Sequence, residues 1–190
     1  TVSEVTLDPG IWSLDNFGEV LVATIHNGKT FTWNAGATNP RTIRASTTTT
    51  NFQTTNNPTR SLMTLVSDRD RHLFHLGTET TIGNSGTQDP MFIRFSNQED
   101  LNTYTPTATN TAGTFRLDAG SEIRAAVNAK DYTLVLTDRA AYVIQFVGPP
   151  FTFSVRQVGT GCGCIGQNAV VFADGITYWM GDAGGFFVYD

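Results

Sequence analysis

Along most of the chain apolar and polar residues alternate with a period of two, the spacing that puts successive side chains on opposite faces of a β-strand. The first clear unit is Glu19-Val20-Leu21-Val22-Ala23-Thr24-Ile25, which turns through His26-Asn27-Gly28-Lys29 and returns as Thr30-Phe31-Thr32-Trp33. Asn-Gly between two apolar runs is the strongest short-range signal for a hairpin. A second unit is Leu62-Met63-Thr64-Leu65-Val66, a polar turn at Ser67-Asp68-Arg69-Asp70, and His72-Leu73-Phe74-His75-Leu76. A third is Tyr132-Thr133-Leu134-Val135-Leu136, a turn around Thr137-Asp138-Arg139, and Ala141-Tyr142-Val143-Ile144-Gln145-Phe146. The fourth runs Ala169-Val170-Val171-Phe172, turns at Asp174-Gly175, continues as Ile176-Thr177-Tyr178-Trp179-Met180, and after Gly184-Gly185 adds a strand from Phe186 to Tyr189.

The units share one grammar: an apolar strand, a turn carrying Asp or Asn, and a strand ending in aromatics. Trp33 and Phe74 lie 41 residues apart and Phe146 and Tyr189 lie 43 apart, within the 40–50 residues of a four-stranded propeller blade. The 72 residues between Phe74 and Phe146 are too many for one blade. An inserted loop or an irregular blade over residues 90–118, with its own strand candidate at Met91-Phe92-Ile93-Arg94-Phe95, accounts for the excess. The expected fold class is all-β, antiparallel hairpin repeats forming part or all of a β-propeller, with a β-sandwich or β-solenoid as the alternative. Residues 1–190 read as a single β domain. Residues 121–130 can be read as a short capped helix, but Ile123, Ala125 and Val127 alternate, and a strand is the better reading. Residues 38–59 and 77–90 are polar and poor in apolar positions, which predicts long loops that bind something or cross to a neighbour. In Ile176-Thr177-Tyr178-Trp179-Met180 both alternating sets are large and apolar, so the strand is expected to be packed on both faces with Trp179 as a core anchor.

Composition sharpens this picture. Of 190 residues 39% are hydrophobic and 11% aromatic, with 13 Phe, while only 15% are charged, against roughly 25% in ordinary soluble domains. Thr, Asn and Gly take the vacant places, and these suit strands and tight turns. A net charge of −5 argues against a broad phosphate-neutralising surface, although passive contact with DNA is compatible with it. No run of about 18 apolar residues is present, so no membrane-spanning helix is expected. Nor does the sequence carry a signal-peptide pattern or an Asn-x-Ser/Thr acceptor. Because it begins at Thr1 and stops on the apolar strand ending at Asp190, the chain reads as an interior piece of a longer protein or as a processed one.

Candidate chemistry is sparse. Gly161-Cys162-Gly163-Cys164-Ile165-Gly166 matches G-x-G-x-x-G, but a dinucleotide fingerprint must open a helix, and residues 167–172 read as a strand. The glycines fit a tight link between repeats. Cys162 and Cys164 are the only cysteines, too few for a structural zinc shell, and they read as small buried thiols. His26 lies in a turn; His72 and His75, three apart on a strand, face opposite ways and cannot share a metal. Asp68 and Asp70 are read on one face of an extended segment, interleaved with the neutralising Arg69 and Arg71. Together with Glu99 and Asp100 they lack the further oxygens of a calcium loop. No nucleophile elbow, catalytic triad order or phosphate loop appears. No catalytic, cofactor-binding or metal residue is therefore assigned, no cofactor is expected, and the chain is read as no enzyme.

An ordered series of segments carries a resemblance. Trp12-Ser13-Leu14-Asp15-Asn16-Phe17-Gly18-Glu19 and Phe31-Thr32-Trp33 come first, followed by Ile93-Arg94-Phe95-Ser96-Asn97-Gln98-Glu99-Asp100, Asn110-Thr111-Ala112-Gly113 and Leu136-Thr137-Asp138-Arg139-Ala140-Ala141-Tyr142. Gly148-Pro149-Pro150-Phe151 and Tyr178-Trp179-Met180 through Tyr189-Asp190 complete it. The series covers most of the chain, and it resembles the tail nozzle proteins of tailed bacteriophages, also called packaged-DNA stabilisation or tail tubular B proteins. The resemblance implies a propeller-bearing structural virion protein, assembled in the host cytoplasm into a homo-oligomeric ring. Its implied partners are identical subunits, neighbouring tail or adaptor proteins and, passively, exiting DNA, with no membrane insertion and no catalytic residues. The alternative function is a tail fibre or adhesin-type propeller that recognises a host surface glycan through Trp12, Trp33, Trp179 and nearby polar loops.

Overall fold

Turn chemistry sets the chain reversals. Between the strands ending at Ala173 and starting at Ile176, Asp174 and Gly175 take φ of +51° and +88°. Two positive φ values in a two-residue loop match the right-handed twist of the flanking strands. At the first hairpin Asn27 takes φ of +54°, and its neighbour Gly28 closes the turn by donating to the Ile25 carbonyl at 2.9 Å.

The computed structural model describes residues 10–36 and 56–190. Of the described residues 49% are in strands and 2% are helical, the helical part among them being one short turn at Ser85–Thr87. Among the described residues fourteen strands form four antiparallel sheets, each built from strands consecutive in sequence. Sheet 1 holds β1 (Trp12–Phe17), β2 (Val20–Ile25) and β3 (Thr30–Asn34). Sheet 2 holds β4 (Met63–Val66), β5 (Leu73–Leu76), β6 (Phe92–Phe95) and β7 (Gly113–Arg116). Sheet 3 holds β8 (Ile123–Asn128), β9 (Thr133–Thr137), β10 (Ala140–Gly148) and β11 (Thr152–Thr160). Sheet 4 holds β12 (Val170–Ala173), β13 (Ile176–Met180) and β14 (Phe186–Tyr189).

The first strands of the sheets lie side by side. β1 packs on β4 and β8 on β12, and Asn128 at the end of β8 donates to the Val66 carbonyl of β4 at 2.6 Å. The sheets stack in chain order. Between sheets 2 and 3 the core is aliphatic and aromatic, with Phe74, Leu76, Ile93 and Phe95 meeting Ile123, Val135, Tyr142 and Ile144. Between sheets 3 and 4, Leu134, Leu136 and Val143 meet Trp179, Cys162 and Cys164. The contact between sheets 1 and 2 combines Phe17, Val22, Val66 and Leu73 with a hydroxyl ladder. Thr24 Oγ1 lies 2.8 Å from both Thr30 Oγ1 and Thr64 Oγ1, and the Ser13 hydroxyl donates to the Thr24 carbonyl at 3.4 Å. These buried hydroxyls avoid the desolvation cost of unpaired groups by bonding one another.

Several expectations change. The strand reading of residues 121–130 holds, as β8. Residues 90–118 are not an inserted loop, because β6 and β7 complete sheet 2 there. The 41-residue spacing compared unlike positions, since Trp33 is on the third strand of its sheet and Phe74 on the second. Third strands carry Trp33, Phe95, Phe146 and Tyr189, separated by 62, 51 and 43 residues, so the repeat contracts along the chain and hides its period. Residues 77–90 are the long polar loop expected, joining β5 to β6 and pinned by one bridge between Glu79 and Gln88. Of the 38–59 segment, residues 38–55 lie outside the described residues. β13 is not covered on both faces. Thr177 and Trp179 are buried, but Tyr178 on the other face is 44% exposed. Trp179 stacks on Phe187 with ring centroids 5.7 Å apart and donates its Nε1 hydrogen to the Cys162 carbonyl at 2.8 Å.

The two faces of β13 should therefore respond differently to truncation. Trp179→Ala should cost about 3–5 kcal/mol in urea unfolding. Tyr178→Ala, on the open face, should cost about 0.5 kcal/mol or less. Equal losses would contradict this division of the strand.

Candidate functional site

Two places bring polar groups together. The first is a cavity of about 420 Å³ where the first strands meet. β1 supplies Trp12, Ser13 and Leu14, β4 supplies Met63, Thr64 and Leu65, β8 supplies Ala126, and Gln167, Asn168 and Val170 close it around β12. The Trp12 ring is held tilted against Phe31, centroids 6.0 Å apart. None of the lining side chains ionises between pH 2 and 12, so the cavity has no general acid, general base or charged metal ligand. Its chemistry is aromatic contact and neutral hydrogen bonding.

The second place is a buried polar network on the face of sheet 2 that looks toward sheet 1. Strand register places Thr64, His75 and Arg94 directly opposite one another. Ser61 Oγ lies 2.8 Å from His75 Nδ1, and His75 Nε2 lies 3.2 Å from the Tyr104 hydroxyl. Ser61 also donates to Thr78 Oγ1 at 3.2 Å. The buried Arg94 guanidinium donates to the carbonyls of Thr80 at 2.8 Å, Glu79 at 3.3 Å and Tyr104 at 3.4 Å. The buried Glu79 carboxylate accepts from the Thr59 and Gly83 amides at 2.9 and 2.7 Å and from the Thr59 hydroxyl.

A serine bonded to a histidine is the start of a nucleophile and its base, and no motif or spacing marks residues 61 and 75 as neighbours. The pairing here is structural. Ser61, His75 and Tyr104 are at most 1% exposed, so no substrate reaches the hydroxyl. Burial, with the Arg94 charge adding to it, lowers the His75 pKa to about 3, and such a weak base cannot take a serine proton. Burial likewise raises the Tyr104 phenol well above its ordinary value.

The other sequence candidates scatter. His26 is exposed in its turn. His72 sits among the rings of Phe95, Phe146 and Phe153, with centroids 4.9 Å from Phe153, and its Nε2 lies 3.1 Å from Thr111 Oγ1. Burial lowers its pKa to about 4. Asp68 and Asp70 do not share a face of an extended segment, because residues 68–70 form a turn that exposes Asp68 and buries Asp70. Arg69 and Arg71 pair instead with Asp131 at 3.5 Å and Glu99 at 3.1 Å. Among the described residues no group of three or more His, Cys, Asp or Glu could hold a metal ion. No helix among them is long and apolar enough to cross a membrane.

The Gly-Cys-Gly-Cys segment is a clamp between sheets. It follows β11 and leads to β12, with no helix. The Cys162 amide donates to the Arg139 carbonyl at 3.2 Å and the Cys164 amide to the Thr137 carbonyl at 2.9 Å, so the segment grips the β9–β10 turn. A Cβ at Gly163 would overlap the Asp138 carbonyl oxygen. Both thiols are buried and unpaired, and burial raises their pKa.

Two predictions follow from these contacts. Gly163→Ala should destabilise the fold by about 1–3 kcal/mol in urea unfolding, the range for forcing atoms into a packed site; an unchanged midpoint would contradict the clamp. His72 and His75 stay neutral when folded but take a proton near pH 6.5 when unfolded. The unfolded state then binds more protons, so stability is full above about pH 6.5 and falls as pH drops toward 4, by about 1.4 kcal/mol per pH unit for each histidine. His72→Phe should flatten that slope; an identical slope in the variant would contradict the assignment.

No protein-family model matches the chain, and comparison with curated proteins finds no match.

Proposed function

We propose that this chain is a structural protein of a tailed-phage virion, a subunit of the homo-oligomeric nozzle ring that surrounds the DNA exit channel. We further propose that its four sheets are consecutive blades of a β-propeller. The observation that carries the reading is the convergence of β1, β4, β8 and β12 on one uncharged cavity, with each sheet a meander of consecutive strands. Radial four-stranded meanders with first strands innermost are the arrangement of propeller blades. The ionisable groups that could do chemistry are locked in packing, which suits a rigid wedge, and the net charge of −5 suits a wall that DNA passes without sticking.

The rival reading, a glycan-binding propeller, rests on Trp12 alone. Trp12 is exposed at the cavity, whereas the Trp179 indole nitrogen is spent on Cys162 and Trp33 is half-buried on β3. Electron microscopy of the purified protein separates the two: nozzle function predicts closed rings with a central channel. Isolated monomers or slender trimers, with binding to host surface glycan lost in Trp12→Ala, would overturn it in favour of the adhesin.

A further inference from the structure

The turn between β2 and β3 is bound into sheet 2. Asn27 donates its amide hydrogen to the Leu62 carbonyl at 3.3 Å, and Gly28 and Ser61 exchange amide-to-carbonyl bonds of 3.1 Å. The Arg60 guanidinium donates to the Asn27 carbonyl at 3.1 Å. Gln88, in the loop joining β5 to β6, donates its side-chain amide to Asn27 Oδ1 and to the Gly77 carbonyl, both at 2.9 Å. These contacts hold a reactive pair, since Asn27-Gly28 is the only Asn-Gly in the chain.

An Asn side chain followed by Gly is prone to attack by the next backbone nitrogen, because glycine has no Cβ to bar the approach. The Gly28 nitrogen gives up its proton and bonds to Asn27 Cγ, the Cγ–Nδ2 bond breaks, and ammonia leaves with that proton. The cyclic imide then takes up one water at either carbonyl, giving aspartate or isoaspartate. Water is the only co-reactant, and Asn27 is exposed to it. What the fold withholds is the nitrogen. Its N–H is shared between the Ile25 carbonyl at 2.9 Å and the Ser61 carbonyl, while Gln88 holds the carboxamide oxygen. The reacting atoms cannot meet until the turn leaves sheet 2.

We propose that Asn27 is a gated deamidation site, closed while sheet 1 is docked on sheet 2 and open in any state where the two have parted. The reaction runs one way. Isoaspartate adds a methylene to the main chain between residues 27 and 28, which carries Gly28 out of register with Ser61 and keeps the joint from reclosing. Asp174-Gly175 supplies an internal comparison. Asp174 takes a φ of +51°, close to the +54° of Asn27. Yet among the described residues no hydrogen bond from another sheet reaches that turn, and a Cβ at Gly175 would meet nothing within 4 Å.

Peptide mass spectrometry of the purified full chain, held at mildly alkaline pH, reads the exchange of NH2 for OH at residue 27. Conversion is expected to be at least about 10-fold slower in the folded protein than in guanidinium chloride, since only opened molecules react. In folded Asp174→Asn, position 174 is expected to convert at close to the rate seen in denaturant. Thr64→Val removes the 2.8 Å bond to Thr24 that joins the two sheets. Losing a buried hydrogen bond of ordinary strength should speed conversion at residue 27 about 5-fold. Wild type aged in denaturant and then refolded should show β2 amides at least about 10-fold less protected from hydrogen exchange. Equal rates at residue 27 in folded and unfolded chains would remove the gate, and slow conversion at position 174 would assign it to turn conformation; either overturns the proposal. So would an unchanged rate in Thr64→Val, or β2 protection untouched by ageing. If Thr64→Val does not fold by circular dichroism, the comparison with position 174 decides.

Discussion

Sheets 2 and 3 must bury both faces at once, and the rest of the molecule follows from that constraint. A strand with one wet face can alternate apolar and polar residues. β5 and β9 cannot, and every residue in each is buried. Sheet 3 meets the demand with aliphatic side chains. Sheet 2 meets it with Phe74 and Leu76 toward sheet 3 and with His75 toward sheet 1, where Arg94 is its neighbour. A buried polar row is tolerable only when its members find partners. The Ser61–His75–Tyr104 chain and the carbonyls around Arg94 are those partners.

The stack is therefore joined by three different chemistries. Sheets 1 and 2 share the Thr24, Thr30 and Thr64 hydroxyls around a small apolar cluster. Sheets 2 and 3 share the largest aromatic cluster, in which Phe153 touches Phe74, Phe95 and Phe146. Sheets 3 and 4 share the Gly-Cys-Gly-Cys clamp and the Trp179 indole. Directional hydrogen bonds fix the angle at the first joint and backbone contacts fix it at the third, so the first strands stay gathered around their cavity. A part that must keep its shape under load benefits from such joints, and this links the packing to the proposed structural role.

Much of the fold was legible in local sequence. Asn27-Gly28 and Asp174-Gly175 announced their hairpins because their turns need backbone angles that few residues adopt. The alternation of Ile123, Ala125 and Val127 identified β8 against a helical reading. The repeat was harder to read, because loops of unequal length place equivalent third strands at shrinking intervals, and Trp33 was matched with the wrong strand of sheet 2. The open face of β13 was missed for another reason: Tyr178 and Met180 are apolar whether they face a neighbouring sheet or a surface, so periodicity cannot distinguish the two. Ser61 and His75 left no signal, since their contact depends on how the segment before β4 crosses the end of β5. The nozzle resemblance rests on an ordered series of short segments spread over most of the chain, which no single hairpin carries.

The central claim is that four sheets joined by these contacts behave as one rigid body. Native-state hydrogen exchange with increasing denaturant tests it most directly, by following the amides of the second strands, β2, β5, β9 and β13. If the claim is right, all four exchange through a single opening with one free energy and one denaturant dependence. If β2 or β13 exchanges through a smaller, separate opening while β5 and β9 stay protected, the sheets are independent units and the rigid-stack account is contradicted.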